Sequence, residues 1–266
     1  MSVRRGPPIR PAAITFDFGN TLVPVPGDAL QRVVERTATA VVARSGPFPR
    51  DAFLAAWHEE RERQFAEEVP DGREVDVDQR VVRVLARMRG LAAPGPGLRW
   101  DDASAARRSS PEERAEAVEA YSAAFVAEVR PPPDVGPILA ALAERFPLAV
   151  LSNWPLAATI DRFVAEAGWA GYFKAIVVSQ RVGAIKPAPE IFAVAADALG
   201  TAGERILHVG DDWQADVVGA KRAGWLAAYL RDRQGDSPLP SSAPDDSVRA
   251  DLVIDHLADL IGALAG

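Results

Sequence analysis

The chain has 266 residues, a formal net charge of −7 and a pI near 5.1, with 48% hydrophobic and 25% charged residues. This composition is ordinary for a globular protein that buries a core, and the acidic balance argues against non-specific binding to nucleic acid or to an anionic membrane surface. The absence of cysteine excludes disulfides, thiol nucleophiles and cysteine-based zinc sites, and it fits a reducing compartment.

Targeting signals are also lacking in the sequence pattern. No apolar run reaches the roughly eighteen residues that a spanning helix needs. The arginines and prolines among the first ten residues leave no apolar stretch for a signal peptide. We therefore expect a cytoplasmic protein that has neither a membrane nor a nucleic acid as partner; the sequence carries no signal for its oligomeric state.

The first predicted element is a buried strand that ends at an acid. The apolar run from Ile14 stops at Asp17, and Gly19, Asn20 and Thr21 follow. A short apolar run bounded by turn formers predicts a parallel strand that leads into a loop. Because ligands of open α/β sheets bind beyond the carboxyl ends of the strands, Asp17 is expected at the mouth of a site. The alternative is an acid that only caps the next turn.

Residues about 26–130 are predicted to be helical throughout. Apolar side chains recur at helical spacing in four successive segments, Leu30–Val42, Phe53–Phe65, Val77–Met88 and Val118–Val129. Gly90 is a plausible residue to end the third helix, and Ser110-Pro111-Glu112-Glu113 is a capping box that begins the fourth. Between these two lies a Pro/Gly-rich and then polar connector. The pattern predicts a small helix bundle.

Helices and strands alternate after Pro131-Pro132-Pro133. Helices are predicted at about 134–145, 155–167, 188–199 and 213–223, and strands at Leu148–Leu151, Ala175–Val178, Arg205–Val209 and Trp225–Tyr229. Near-continuous apolar strands that alternate with helices predict a parallel sheet covered on both faces. Residues 232–250 are polar and predicted to form a mobile loop, before an apolar segment, Leu252–Ile254, and a helix at about 256–264.

Polar residues follow the predicted strands at three further places. Ser152 and Asn153 end one strand, Lys186 stands just before a helix, and Asp211 ends another strand with Asp216 five residues later. Each has a simpler explanation taken singly, as a turn former, a solvated charge or an acid at a helix N-terminus. Together they bring carboxylates, a hydroxyl and an ammonium to one edge of a sheet, a combination that coincidence explains poorly.

Transfer of an anionic group is the chemistry that suits this set. Carboxylate oxygens of Asp17 and Asp211 can hold Mg²⁺, which neutralises and orients a phosphoryl group. Asp17 can attack phosphorus to form an acyl phosphate that water later hydrolyses. Lys186 supplies a positive charge, and the hydroxyls of Thr21 and Ser152 can bond the phosphoryl oxygens.

The four polar segments resemble the four motifs of the haloacid dehalogenase (HAD) superfamily. Phe16–Leu22 resembles motif I, Leu151-Ser152-Asn153 motif II, Lys186-Pro187 motif III and Gly210–Asp216 motif IV, in the right order and spacing. The resemblance covers residues 12–230. It implies an α/β fold with a Rossmann-like parallel sheet and an inserted α-helical cap.

The resemblance also implies domain boundaries and roles for the site residues. The core is expected to comprise residues 1–25 and 131–266, and the cap residues 26–130, where it can lie over the site as a lid. By analogy Asp17 is the nucleophile of a Mg²⁺-dependent phosphatase that acts on a small phosphorylated metabolite. The main-chain carbonyl of Gly19 and the Asp211 carboxylate complete the metal's protein ligands, and Asp216 supports them from behind.

Position 19 departs from the family pattern. The family's phosphatases carry there a second Asp that acts as general acid and base, and Gly19 offers only its carbonyl. Such groups typically contribute ~10²–10⁴ in rate. The sequence therefore predicts a slow phosphatase, one that acts on good leaving groups, or one that borrows an acid from the cap. His58, Glu59, Glu60 and Glu62 are candidate donors, although a solvated helix face explains them more simply.

Two alternatives remain open. One is a metal-independent 2-haloacid dehalogenase of the same fold, although such a site does not need the acidic cluster at 211–216. The other is a catalytically weak HAD scaffold that binds a ligand or partner, which Gly19 favours and the intact Asp17, Lys186 and Asp211 oppose. The phosphonatase branch needs a cap lysine, and residues 24–130 contain none.

Overall fold

Six parallel strands carry the architecture that positions the site. The computed structural model describes residues 9–46, 48–95, 97–231 and 235–265. The strands are β1 (Ala13–Phe16), β2 (Leu148–Ser152), β3 (Phe173–Val178), β4 (Ile206–Gly210), β5 (Leu226–Leu230) and β6 (Leu252–Ile254). They form one sheet in the order β3-β2-β1-β4-β5-β6. The predicted α/β class and parallel sheet are confirmed, and the last apolar segment of the sequence is its edge strand.

The register of the central strands determines which loops meet. Phe16 at the end of β1 pairs with Val150 of β2 on one side and with Val209 of β4 on the other. The Asp17 amide donates to the Val209 carbonyl at 2.9 Å, which continues this pairing by one residue. Because all three strands run in the same direction, their carboxyl ends open on one edge of the sheet.

Helices cover this sheet at nearly the predicted places. The helices of this part of the chain are α6 (Val135–Ala143), α7 (Ala157–Glu166), α8 (Ser179–Val182), α9 (Pro189–Leu199), α10 (Gly219–Arg222) and α11 (Asp259–Ala263). The helix predicted at about 213–223 is a π-helix over Trp213–Val218 that continues into α10. The short helix α8, which begins directly after β3, was not predicted.

The helices of residues 27–128 form a separate set. They are α1 (Gly27–Ser45), α2 (Arg50–Glu68), α3 (Val77–Met88), α4 (Asp102–Ala106) and α5 (Pro111–Glu128). The predicted capping box is confirmed, since the Glu113 amide donates to the Ser110 hydroxyl and the Ser110 amide to the Glu113 carboxylate. Gly90 follows α3 with φ of +80°, a conformation that glycine adopts without strain. Helix α4 lies in the segment predicted to be a connector.

The chain divides into two compact units. One is Asp28–Glu128, and the other comprises β1 with the described part of the chain from Val129 onward; we call them the helical unit and the α/β unit. In the helical unit, Trp57 stacks between Phe53 and Tyr121, with ring centroids 5.9 and 5.6 Å away, so this predicted stripe is core. The role of the helical unit as a cap stays a prediction. Among the described helices, none combines the length and apolar composition needed to cross a membrane.

The polar segment that follows β5 is not a free loop. Its residues 232–234 lie outside the described part of the chain, and the rest has almost no regular structure, as expected. However, Ser242 and Asp245 are hydrogen bonded to residues at the start of the π-helix, and Val248 packs against the core of the α/β unit. The prediction of a mobile loop is therefore corrected for this anchored part, because specific side chains tie it down.

Candidate active site

Asp17 stands directly after β1, and its carboxylate is held from two sides. The Ser152 hydroxyl, at the end of β2, donates to Asp17 Oδ1 at 3.0 Å, and the Lys186 ammonium donates to the same oxygen at 2.7 Å. Only 9% of Asp17 is exposed. Both contacts are made to Oδ1. The other carboxylate oxygen, Oδ2, takes part in neither of them.

Lys186 is the central cation of the site. It is 2% exposed and makes a second ion pair with Asp216 Oδ1 at 2.6 Å. Asn153 holds the lysine's backbone on both sides, because its Oδ1 accepts from the Lys186 amide at 2.7 Å and its Nδ2 donates to the Lys186 carbonyl at 3.0 Å. Asn153 thus positions the loop that presents the ammonium.

Asp211 brings the second strand-end carboxylate to the same place. It follows β4, the neighbour of β1, and the Thr21 hydroxyl donates to its Oδ1 at 2.9 Å. Thr21 and Ser152 were predicted to bond phosphoryl oxygens. In this structure each hydroxyl donates to a carboxylate of the site and so orients that acid, and the contacts to phosphoryl oxygens stay a prediction.

Asp216 lies behind the site, where Lys186, His208 and the Asp212 amide all contact its carboxylate. Besides Lys186, His208 Nε2 lies 3.1 Å from its Oδ1, and the Asp212 amide donates to its Oδ2 at 2.9 Å. A Cβ on Gly210 would lie 2.1 Å from Asp216 Oδ2, so only glycine fits at the end of β4. Asp216 therefore holds Lys186 in place with both of its oxygens already engaged.

Sequence reasoning missed the part that His208 plays. It lies within the strand predicted at Arg205–Val209, and it is buried in β4. Its ring nevertheless links the site to the sheet, since Nδ1 lies 2.8 Å from the Thr15 hydroxyl and Nε2 contacts Asp216. Thr15 and His208 are paired across β1 and β4. The sequence does show a polar residue inside each of two apolar strands. Only the register of β1 against β4 shows that these two residues are neighbours.

The charges of the site determine the titration of its groups. Burial raises the pKa of Asp17 to about 6 and outweighs the opposing charge of Lys186. Burial also disfavours the charged forms of Lys186 and Asp216, but the attraction between the two charges is stronger. The pKa of Lys186 is therefore above its ordinary value, and the pKa of Asp216 is below its ordinary value. Asp216 keeps its charge because the Lys186 ammonium attracts it and because His208 and Lys186 are hydrogen bonded to its carboxylate.

His208 is expected to be neutral. Burial lowers the pKa of its imidazole, and the neighbouring Lys186 charge adds to this effect against the pull of Asp216. A neutral ring has one N–H donor and one acceptor nitrogen. The donor can serve Asp216 while the acceptor takes the Thr15 hydroxyl, so every polar atom of the pair has a partner.

The donor set suits a hard divalent cation. One carboxylate oxygen each from Asp17, Asp211 and Asp216 lies within 4.8 Å of the others. Such oxygen donors are the ligands that Mg²⁺ prefers, and two Mg–O bonds of about 2.0–2.1 Å span about 4 Å. Three carboxylates also outnumber the single ammonium, so the centre retains negative charge for a cation to neutralise. The residues present therefore fit a magnesium ion.

Gly19 offers the main chain only. The bridge between Gly19 and Val23 is made by the Phe18 carbonyl and the Asn20 amide, and no main-chain amide of the described residues outside the regular elements donates to the Gly19 carbonyl. A Cβ on Gly19 would lie 2.7 Å from Leu239 Cδ1. No side chain at this position could therefore extend into the site without displacing Leu239.

The candidate proton donors of the helical unit are less free than predicted. Glu60 is fully buried, accepts from Trp100 Nε1 at 2.8 Å and pairs with Arg87 at 3.0 Å. Glu59 and Glu62 pair with Arg87 and Arg61. The expectation of a solvated helix face is wrong for Glu60, because the side chain faces Trp100 and Arg87 rather than water.

The family model for haloacid dehalogenase-like hydrolases matches residues 11–224. The chain belongs to this family, and the resemblance predicted from the four motifs is confirmed. The fold also matches a 2-haloacid dehalogenase from Pseudomonas syringae pv. tomato DC3000, with a TM-score of 0.63, 23% identity, and 97% and 98% of the two chains covered.

Two relatives of known activity carry phosphatase names. The chain is 33% identical over 148 residues to a glyceraldehyde 3-phosphate phosphatase of Methanopyrus kandleri. The aligned segment covers 55% of this chain and 62% of that protein. It is 28% identical over 227 residues to the 5-amino-6-(5-phospho-D-ribitylamino)uracil phosphatase YigB of Escherichia coli, which covers 85% and 86%. The first match thus spans less than two thirds of the relative's length.

Proposed function

We propose that this protein is a Mg²⁺-dependent phosphatase that acts on a small phosphorylated metabolite through a covalent phosphoryl group on Asp17. One observation carries the proposal: Asp17 has one oxygen fixed by Ser152 and Lys186, while the Asp211 carboxylate lies close enough to share a cation with it. The phosphatase names of the two relatives support the same reaction.

The covalent step uses Asp17 Oδ2 as the attacking atom. A bond forms from this oxygen to phosphorus, the bond from phosphorus to the leaving oxygen breaks, and the electron pair leaves with that oxygen. Water then attacks the acyl phosphate, which releases phosphate and restores the carboxylate. Lys186 stays protonated throughout because its raised pKa lies far above neutrality, and its charge stabilises the phosphoryl oxygens.

The protein groups that would hold the metal are the Asp17 and Asp211 carboxylates and the Gly19 carbonyl. When bound, Mg²⁺ neutralises charge on the phosphoryl group. Thr21 orients Asp211 from the same loop that carries Asp17. Asp216 is the acid least suited to direct ligation, because its oxygens already accept bonds from Lys186, His208 and the Asp212 amide.

The first test is phosphate release from a panel of phosphorylated metabolites with and without Mg²⁺. We expect release that requires Mg²⁺ and that falls below detection in Asp17→Asn, because an amide is not a nucleophile toward phosphorus. The control is Asp255→Asn, an exposed acid that follows edge strand β6 and pairs with Arg231. It should keep the wild-type rate.

Two other outcomes would replace the proposal. Halide release from 2-haloacids without added metal would identify a dehalogenase, a reaction that needs no proton donor at position 19. A tight ligand in thermal-shift measurements, without turnover of any compound, would identify a scaffold that binds and does not catalyse. Phosphate release that persists in Asp17→Asn would rule out this nucleophile.

A further inference from the structure

Residues 236–245, which we call the strap, are fastened next to the second acidic loop of the site. The Ser242 hydroxyl donates to Asp212 Oδ1 at 2.6 Å and accepts from the Gln214 amide at 2.7 Å, and its carbonyl accepts from the Trp213 amide at 3.2 Å. Asp245 accepts from the Trp213 indole at 3.1 Å and from the Gln214 side chain at 2.6 Å. These bonds hold the strap against the start of the π-helix that carries Asp216.

The strap places an apolar side chain on the loop of the nucleophile. Leu239 Cδ1 lies 2.7 Å from where a Cβ on Gly19 would be, and Trp154 Cζ3 lies 3.1 Å from the same point. Trp154 follows Ser152 and Asn153, and it is buried edge-on against Phe18 at 5.4 Å. Leu239 and Trp154 thus form a wall, which we call the apolar wall, against the main chain of Gly19.

This wall is close to the reacting atoms. Gly19 is two residues from Asp17, and two consecutive Cα–Cα steps of about 3.8 Å place their Cα atoms at most about 7 Å apart. A substrate whose phosphorus lies at Asp17 therefore brings its neighbouring atoms within reach of the wall. Carbon atoms of the leaving group gain from contact with Leu239, the half-buried member of the wall, whereas hydroxyls or charges there lose their hydration without a partner.

Three acids of the second acidic loop, which lies next to the strap, have other partners. Asp211 accepts from Thr21, Asp216 from Lys186 and His208, and Asp212 from Ser242 and the Ala215 amide. Position 19 itself brings no acid. We therefore expect a leaving group beside the wall to depart without receiving a proton from these three acids.

We propose that Leu239, with the buried Trp154 beside it, is a specificity-determining residue that selects phosphoryl compounds whose leaving group is apolar or aromatic and is stable as an anion. Aryl phosphates and the acyl phosphates of apolar acids are this class. The inference rests on the proposed function, since it assigns the substrate class of the same site. In the covalent step the leaving oxygen keeps the electron pair of the broken bond as a phenolate or carboxylate and takes any proton later from water.

The binding test uses the Asp17→Asn protein, which cannot turn substrate over, and compares phenyl phosphate with ethyl phosphate by calorimetry in Mg²⁺. We expect phenyl phosphate to bind about tenfold more tightly, the size of effect that one apolar contact provides. Leu239→Ala should abolish this preference, whereas Leu239→Met should retain it. Val253→Ala, which shortens an exposed apolar side chain on β6, is the matched control and should change nothing.

Gly19→Ala provides a second, independent variant. The added methyl group must push Leu239 away, while it introduces no acid and no charge. We expect it to weaken phenyl phosphate binding as Leu239→Ala does, and the double variant should be no weaker than either single one, because residues in contact are not additive. Additive losses would contradict the contact between the two residues.

Turnover by the unmodified enzyme separates this inference from the proposed function. We expect kcat/KM to fall at least a hundredfold from 4-nitrophenyl to ethyl phosphate, within the range that a missing general acid produces. Equal rates for the two esters, or equal binding of phenyl and ethyl phosphate, would overturn the inference and leave the phosphatase intact. If the unmodified enzyme shows no turnover that depends on Asp17, the proposed function is overturned. The comparison of phenyl and ethyl phosphate binding would still test the role of the apolar wall.

Discussion

Two buried cations, one in each unit, show how differently the two regions of this molecule treat charge. Lys186 in the α/β unit is 2% exposed and bonds two carboxylates, Asp17 and Asp216. Arg80 in the helical unit is 3% exposed, yet its Nε donates to the neutral Gln64 side chain at 2.9 Å and its guanidinium lies 5.3 Å from the Trp57 ring. Among the described residues, Arg80 makes no ion pair.

The consequence is visible in their pKa values. The two carboxylates raise the pKa of Lys186 in spite of its burial, whereas burial lowers the pKa of Arg80 to about 10. Arg83, one turn further along α3, is a buried cation that is paired with an acid. Asp102 accepts from its Nε at 2.8 Å and from its Nη2 at 3.1 Å. Burial therefore does not reveal the function of a cation. Its partners do.

The largest expected effect is on catalysis. Lys186→Met removes the positive charge while it keeps most of the side-chain volume, and it leaves Asp17 and Asp216 without their shared cation. We expect kcat to fall ~10²–10³-fold, the loss measured when one charge-stabilising group is removed from other active sites. Steady-state kinetics with the best substrate of the panel measures it.

Lys221→Met serves as the matched control, since this lysine pairs with Asp251 at 2.8 Å and has no contact with the site acids. It should retain the wild-type kcat. A Lys186→Met enzyme with unchanged kcat would show that the buried ion pairs of the α/β unit are structural, as the surroundings of Arg80 are.

The second effect is on the pH dependence of metal binding. Because burial raises the pKa of Asp17 to about 6, a proton competes with Mg²⁺ for this carboxylate at lower pH. We expect the Kd for Mg²⁺ to be constant above about pH 6 and to rise about tenfold per pH unit below it, which calorimetry at a series of pH values measures. Asp17→Asn should bind Mg²⁺ more weakly and without this dependence.

The same group makes the metal-free protein sensitive to pH. Its pKa is higher in the folded state, so the folded chain binds more protons between pH 3.8 and about 6, and stability falls as the pH rises through this window. Asp216 has the opposite sign: its lowered pKa contributes stability that is present above 3.8 and is lost only in stronger acid. A stability profile that rises between pH 4 and 6 would contradict the assignment for Asp17.

The smallest effect is on the stability of the helical unit. Arg83→Met removes the paired guanidinium and should lower the free energy of unfolding by about 1–3 kcal/mol, a value reduced from that of a fully buried pair because Asp102 is 38% exposed. Arg80→Met keeps the apolar stem and removes a buried charge without an acidic partner. It should change the free energy by less than about 1 kcal/mol.

Chemical denaturation of the two variants measures this difference. A greater loss for Arg80→Met than for Arg83→Met would mean that the Trp57 ring and Gln64 stabilise a cation better than a carboxylate does. That result would contradict our expectation that Arg83, which is paired with an acid, contributes more to stability than Arg80, which is not.

Much of the fold could be predicted from short-range patterns in the sequence. Ser110 and Glu113 are three residues apart, so the capping box forms from a single turn and could be read directly. Helix α4 was missed because it is five residues long and lies in a segment of turn-forming composition. The candidate site was predictable as a set, since Asp17, Ser152, Lys186 and Asp211 all follow strands or begin helices at one sheet edge.

The contacts within that set were not predictable. The hydroxyls of Thr21 and Ser152 donate to carboxylates, which depends on side-chain directions that spacing in the sequence does not give. The burial of Glu60 was also missed, because a run of charged residues on a helix resembles a solvated face until Trp100 and Arg87 are brought against it.

The sequence by itself determined where the strands end and which chemical groups follow them, because apolar runs, turn formers and helix caps act over a few residues. Only the tertiary structure decided that His208 joins Thr15, 193 residues away, and that Leu239 lies on Gly19. Strand register and loop anchoring arise from the packing of distant segments, and their physical cause is the burial of one surface against another, which no local pattern encodes.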